Sequence, residues 1–250
     1  MKILHTTILN RYIFKFFIRL IIFSGVFILY LTGKDNFMAV LNMKVLPLPG
    51  FNGVGISVLH VLWLIFMTMM IIHLIPPKVF TMALLRRKKE RLERVDDYSR
   101  QELLEFVADQ NAKAWKVMLV WIILNAVVGF LYLFNVLDSA DLLMITVFYF
   151  LCDYICILLY CPFQSKIMGN KCCVNCRIYD WGHFMMFTPM LFIQNFFSWS
   201  LFFTSFLVLL KWEMTYAKHP ERFWEGSNKV LKCSNCKDKS CQFKKALKRS

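Results

Sequence analysis

Two pairs of cysteines with identical spacing are the residues best suited to do chemistry. Cys173 and Cys176 form one C-x-x-C turn, and Cys233 and Cys236 form another further along the chain. Such a turn lets two thiolates face one ion, and a second pair completes a tetrahedral zinc site or holds an iron–sulfur cluster. The spacing therefore predicts a single four-cysteine metal centre, built from both turns.

Each pair has a neighbouring cysteine, Cys172 or Cys241, that serves as a spare ligand or completes a second site. Thiolates suit zinc and iron–sulfur clusters alike, so the spacing leaves the metal open. The alternative is a set of exposed free thiols on basic loops, or a redox disulfide. Metal binding is favoured because paired C-x-x-C spacing is typical of metal sites and a reducing compartment disfavours disulfides.

Three polar residues follow the first turn at once: Arg177, Asp180 and His183. Groups next to a metal site commonly hydrogen-bond the ligands and orient them, and we expect that role for these three. The alternative is a belt of interfacial residues around Trp181, since Trp is common at membrane surfaces.

Polar residues inside apolar runs are the remaining candidates. His60 and His73 could ligate b-type haem, but they lie roughly 220° apart around a helix, so haem is disfavoured. Asp153 is a candidate proton relay, cation site or quinone contact, because a carboxylate at that depth usually faces a bundle or a wet cavity. Its alternative is a protonated carboxyl bonded to Asn125 or to a backbone carbonyl.

The elements that position these groups are long apolar runs. The chain has 250 residues and is 58% hydrophobic, with 25 Phe. Continuous runs of roughly 20 apolar residues predict an all-α, polytopic membrane protein rather than a barrel. The helical bundle occupies residues 1–162, and a cysteine-rich region with a basic tail occupies 163–250. Four spans are predicted, at about 12–31, 54–75, 117–137 and 142–160.

The basic balance of the chain fits cytoplasmic loops and anionic lipid headgroups. The net charge is +14, which in a membrane protein is explained by Lys and Arg on inner loops rather than by nucleic acid. We expect Lys15 and Arg19 to extend from the first span to the interface. The linker 78–116 begins with a basic amphipathic helix, with Phe80 in its apolar stripe, on the inner leaflet. Residues 33–52 are expected to form an outer loop.

The next helix is expected to start at a capping box at Ser99 and to run through Trp115 into the third span.

The apolar segment 184–210 has two interpretations. It could be a fifth span, or it could enter the membrane and return. Pro189 and the polar pair Gln194-Asn195 favour the re-entrant form. Both termini of this multi-pass cell-membrane protein are then cytoplasmic, and the two cysteine turns can meet.

Function follows from the metal centre. The leading interpretation is a membrane redox component that passes electrons to a membrane partner or quinone. The alternative is a non-catalytic, zinc-stabilised scaffold or metal-handling factor, for example in iron homeostasis, that docks a membrane or cytoplasmic protein. A transporter is a third interpretation, and Asp153 is the single residue that supports it. Glycine-rich phosphate loops, nucleophile elbows and H-E-x-x-H are missing from the sequence, so an accessory or electron-transfer subunit is favoured over a stand-alone enzyme.

Overall fold

The computed structural model is mainly α-helical, as the sequence predicts. It describes residues 7–47, 55–75, 84, 86–95, 97–170, 172–173, 175–236, 241 and 243–244. The helices are α1 (Thr7–Leu31), α2 (Lys34–Asn42), α3 (Val58–Leu74), α4 (Arg100–Leu133), α5 (Ser139–Leu158), α6 (Gly182–Phe187) and α7 (Phe196–Lys218). A short antiparallel pair joins β1 (Lys44–Pro47) to β2 (Gly55–Ser57).

Three helices are long and apolar enough to cross a membrane: α1 from Leu9 onward, α4 and α5. Their outward faces carry exposed apolar side chains such as Ile21 and Phe130, as expected of surfaces that meet lipid. Helix α3 is 17 residues long and starts at Val58 because strand β2 takes up the residues before it. The count of four spans therefore stays a prediction at α3.

Helices α1 and α5 pack antiparallel through an ion pair. Arg19 Nη1 lies 2.8 Å from Asp153 Oδ2 and donates to the Phe150 carbonyl at 2.6 Å. The expectation that Arg19 reaches the interface is therefore wrong: it is buried, because an opposite charge offsets the cost of desolvation. The proposed Asp153–Asn125 bond is also wrong, since the Asn125 side-chain amide donates to the Trp121 carbonyl.

Helix α4 is continuous from Arg100, and the Ser99 hydroxyl accepts from the Glu102 amide at 3.4 Å, so the predicted helix start is confirmed. The region predicted as an outer loop is more ordered than expected. It contains α2 and β1, and Phe37 of α2 is buried against the ring of Tyr30. A single apolar anchor on a short helix gives a weak sequence signal, which explains the error.

The predicted amphipathic helix of the linker is wrong for residues 86–95, although Leu84 before them is helical. Residues 86–95 contain only a 3-10 turn, Lys89–Arg91, and Phe80 lies outside the described residues. The linker backbone pairs instead with the tail: Arg94 bridges Asn228, and the Lys229 amide donates to the Glu93 carbonyl at 2.7 Å. Backbone groups satisfied by a distant strand-like partner have no need of a helix.

The apolar segment 184–210 is a broken hairpin. Helix α6 continues as a 3-10 turn, Thr188–Phe192, and the chain reverses before α7, which Asn195 caps by accepting from the Ser198 amide at 2.7 Å. The arms are antiparallel, because Phe184 packs on Phe202 while the earlier Trp181 bonds the later Glu213. This reversal is the geometry that the re-entrant alternative predicts, and it brings the two cysteine turns to the same end of the bundle.

Candidate functional site: a cysteine-lined cavity and a charged cluster

A cavity of about 430 Å³ lies where α5 ends and meets the first C-x-x-C turn. Most of its wall is apolar or aromatic, with Trp121, Tyr149 and Phe163 among the lining residues. Five of the nine cysteines of the chain line it: Cys152, Cys156, Cys161, Cys173 and Cys176. We call this site the thiol cavity.

Local structure explains why these cysteines converge. Cys152 and Cys156 are four residues apart and so lie on one face of α5. The chain then leaves the α-helix at Cys161-Pro162 and makes a π-helical turn, Phe163–Met168, which ends at Gly169 with φ +65°. That left-handed backbone suits glycine, and it returns the chain toward the cavity in time for the first C-x-x-C turn.

The thiols are held by specific contacts. Cys156 and Cys161 line the same cavity, and the Gln164 backbone amide donates to Cys161 Sγ at 3.4 Å. Lys244, from the C-terminal tail, places Nζ 3.1 Å from Cys173 Sγ and donates to the Cys156 carbonyl at 2.6 Å. One lysine therefore joins the tail to both thiol-bearing segments.

These contacts give the thiols different acidities. Interaction with the Cys156 side chain, with the Gln164 backbone amide and the nearby Lys244 ammonium, lowers the pKa of Cys161 below that of an ordinary thiol. Burial raises the pKa of Cys173 to about 12 and also raises the pKa of Cys176. Cys161 is therefore more acidic than Cys173 and Cys176, and a thiolate is the nucleophilic form of cysteine.

The second C-x-x-C turn has a different setting. Cys233 begins a 3-10 turn on the tail and is exposed, while Cys236 is half-buried. The Asn175 side chain donates to the Leu231 carbonyl at 3.3 Å, so both turns lie at one end of the molecule. Within the described ranges, no three His, Cys, Asp or Glu side chains are placed to hold a metal ion. The four-cysteine centre, with Cys172 and Cys241 as half-buried spares, stays a prediction.

The residues predicted to orient the metal ligands lie in a charged cluster, and their role beside a metal stays a prediction. Asp180 accepts from His73 Nδ1 at 2.9 Å and from Arg87 Nη1 at 3.3 Å. Arg177 makes a two-pronged ion pair with Glu213.

Two further aromatic residues complete the charged cluster. Trp181 donates to Glu213 Oε1 at 2.8 Å, so this Trp is a core residue rather than a member of an interfacial belt. The His183 ring stands at right angles to the His73 ring, with centroids 4.4 Å apart.

Two linker arginines connect the charged cluster to the first cysteine turn. Arg86 Nη2 donates to the Cys176 carbonyl at 3.2 Å, and its guanidinium lies 5.3 Å from the ring centroids of both Trp212 and Phe223. Arg222 of the tail donates to the Arg87 carbonyl at 2.9 Å. Sequence reasoning placed Arg86 and Arg87 on the lipid surface, because a run of four basic residues resembles a solvated face.

The intramembrane candidates separate into two groups. His60 bonds Ser57 at the start of α3, at the opposite end of that helix from His73, so the two share no site. Asp153 lines the thiol cavity next to Gly182, where an added Cβ would lie 2.9 Å from Asp153 Oδ1. Glycine at this position therefore makes room for the carboxylate.

Sequence reasoning missed Cys161, Gln164 and Lys244 as site residues. The i, i+4 spacing of Cys152 and Cys156 and the nearby Cys161-Pro162 break were the available signals for the first of these. Nothing in the local pattern points to Lys244. The chain matches no protein-family profile, no curated protein and no solved structure.

Proposed function

We propose that this protein is a membrane redox component that works by thiol–disulfide chemistry in the thiol cavity. The observation that carries the proposal is that Cys156 and Cys161 both line one largely apolar cavity, where the Gln164 backbone amide holds Cys161 Sγ and Lys244 holds the Cys156 carbonyl. The cavity adjoins the end of α5, a helix apolar enough to cross a membrane. Two thiols in contact can lose two electrons and two protons to form one disulfide.

The surroundings of Cys161 favour the reduced form of this pair. Gln164 and Lys244 stabilise the Cys161 thiolate, and a stabilised thiolate makes its disulfide a better oxidant. A partner thiolate attacks the Cys156 sulfur, and Cys161 leaves as the thiolate. The second partner thiol then closes the partner's disulfide and releases Cys156, which takes a proton. The pair thereby collects two electrons from a dithiol.

The test is to oxidise reduced, detergent-solubilised protein with diamide and to map disulfides by peptide mass spectrometry. We expect a Cys156–Cys161 disulfide in the wild type and in Cys233→Ser, and none in Cys161→Ser. Wild-type protein in which Cys156 and Cys161 both remain alkylatable after diamide would end the proposal.

A metal centre is the second candidate, because Asn175 ties the first turn to the base of the second. Cys173, Cys176, Cys233 and Cys236 would bind zinc or an iron–sulfur cluster, for electron transfer or as a scaffold that docks a protein partner. Metal analysis and a visible spectrum of anaerobically purified protein test it. Stoichiometric metal that is lost in Cys233→Ser but kept in Cys161→Ser supports the centre, and metal-free wild-type protein excludes it.

We place the thiol cavity at the cytoplasmic face of the cell membrane, with both termini on that side. Among the described basic residues of the linker and tail, Arg86 and Arg222 lie at this end, where anionic headgroups favour positive charge. Tyr12 near the start of α1 also contacts Tyr179 there, with hydroxyls 3.3 Å apart. In sealed cells, an impermeant maleimide should label Cys233 only after lysis; labelling of intact cells would reverse the orientation.

A further inference from the structure

We propose that the thiol cavity binds a quinone, which oxidises the Cys156–Cys161 dithiol and leaves as the quinol. The inference rests on the proposed function and names the acceptor of its electrons. An acceptor that meets a thiol pair inside a membrane bundle must be apolar, must take two electrons and must accept two protons. Quinones are the organic class with all three properties.

The cavity has the size and walls for a quinone ring. Its volume of about 430 Å³ lies in the range of small-molecule sites. Trp121 packs against Tyr149 and Phe163, with ring centroids 4.8 and 6.1 Å apart, and all three line the cavity. Flat aromatic walls suit a planar conjugated ring, which stacks on them more favourably than a flexible acyl chain does.

The polar groups of the cavity are few and are placed where the reaction needs them. The thiols lie at the end where α5 stops, and Asp153 lies one helical turn earlier on the same helix. Arg19 holds one Asp153 oxygen at 2.8 Å, and the other lies beside Gly182. A carboxylate at the wall of an apolar cavity can accept a hydrogen bond from a quinol hydroxyl.

The reaction balances without a further oxidant or reductant. The Cys161 thiolate adds to the quinone ring, forming a sulfur–carbon bond. The Cys156 thiolate then attacks the Cys161 sulfur, which forms the disulfide and breaks the sulfur–carbon bond. The electron pair of that bond stays on the ring, and the two carbonyl oxygens take up one proton from the Cys156 thiol and one from water, which replaces the proton that Cys161 lost when it ionised. The dithiol is oxidised and the quinone is reduced.

The test uses reduced, detergent-solubilised full-length protein and decylubiquinone under argon. We expect one quinone to be reduced per protein, followed by its ultraviolet absorbance, with the appearance of a Cys156–Cys161 disulfide. Asp109→Asn, on an exposed face of α4, should react at the wild-type rate, and Cys161→Ser should not react. Two cavity-filling variants, Ile155→Trp and Met185→Phe, should slow the quinone reaction by about tenfold or more. Both should keep the wild-type rate with diamide, which reports a folded thiol pair.

The outcomes separate the two proposals. A disulfide that forms with diamide but not with decylubiquinone overturns the quinone and leaves the redox function standing. Failure with both oxidants ends both proposals. Quinone reduction at an undiminished rate in the two filled variants places the reaction outside the cavity and overturns the inference as well.

Discussion

The two C-x-x-C turns have the same spacing, and each has an asparagine before its second cysteine, yet their surroundings are opposite. Cys173 and Cys176 are 9% and 5% exposed, whereas Cys233 is exposed on the tail. The first turn lies beneath the hairpin and the linker arginines. The second turn comes two residues after the buried Leu231 and starts at the exposed Cys233. The comparison teaches that spacing brings two thiols together, while burial and nearby charge decide what those thiols can do.

The largest expected difference between the turns is in reactivity toward alkylating agents. At pH 7.5 we expect Cys233 to react on the order of 1000-fold faster than Cys173, because a pKa of about 12 removes nearly all of the Cys173 thiolate. Isotope-coded iodoacetamide with mass spectrometry measures both rates in one sample. Unfolding in SDS is the control and should make the rates similar. Equal rates in folded protein would contradict the difference in burial.

Loss of the buried Asp180–Arg87 ion pair should reduce the difference in alkylation rate between the two cysteine turns. Asp180→Asn leaves Arg87 buried without its carboxylate, and loss of one partner of a buried ion pair costs about 3–5 kcal/mol. We expect a lower midpoint of thermal unfolding and faster alkylation of Cys173 and Cys176, with Cys233 unchanged.

The matched control for Asp180→Asn is Asp109→Asn, because Asp109 pairs with Lys113 on an exposed face of α4. Exposed ion pairs contribute about 0–1 kcal/mol, so this variant should unfold near the wild-type temperature. Similar losses in the two variants would show that the charged cluster does not support the first turn.

Lys244→Met tests how far the tail lysine lowers the pKa of Cys161 in the thiol cavity. Cys161 becomes a thiolate as the pH rises through its lowered pKa, so loss of the neighbouring ammonium should move that pKa upward by about one unit. At pH 5, below the Cys161 pKa of about 6, the alkylation of Cys161 should then be about tenfold slower, as measured from its pH–rate profile. Lys166→Met, an exposed lysine of the same π-helical turn, should leave the profile in place. An unshifted pH–rate profile in Lys244→Met would contradict the claim that Lys244 of the tail lowers the pKa of Cys161.

The smallest effect concerns the two matched asparagines. Asn175→Ala removes a bond to the Leu231 carbonyl in a half-buried setting and should lower the free energy of unfolding by about 1 kcal/mol. Asn235→Ala removes a bond to the Lys229 carbonyl on the surface. It should change the free energy of unfolding by less than about 0.5 kcal/mol. Denaturant titration of both variants measures the difference. A larger loss of unfolding free energy in Asn235→Ala than in Asn175→Ala would show that the second turn, not the first, is the more strongly held.

Several features of the fold could be predicted from local patterns. Ser99 starts α4 because its hydroxyl satisfies an amide that the helix leaves open. The polar Gln194-Asn195 pair marks the reversal of the hairpin, since Asn195 both interrupts the apolar run and caps α7. The burial of Arg19 and Arg87 could not be predicted in this way, because each depends on an acidic residue on another helix or turn.

The sequence by itself determined the helical class, the apolar runs of membrane length and the points where those runs break, because run length and turn chemistry are local properties. Only the tertiary structure decided which thiols meet. Lys244 contacts Cys173 from 71 positions away, and Arg87 contacts Asp180 from 93 positions away. Contacts over such distances arise from how the helices pack, and packing follows from the fit of whole surfaces rather than from any short stretch of residues.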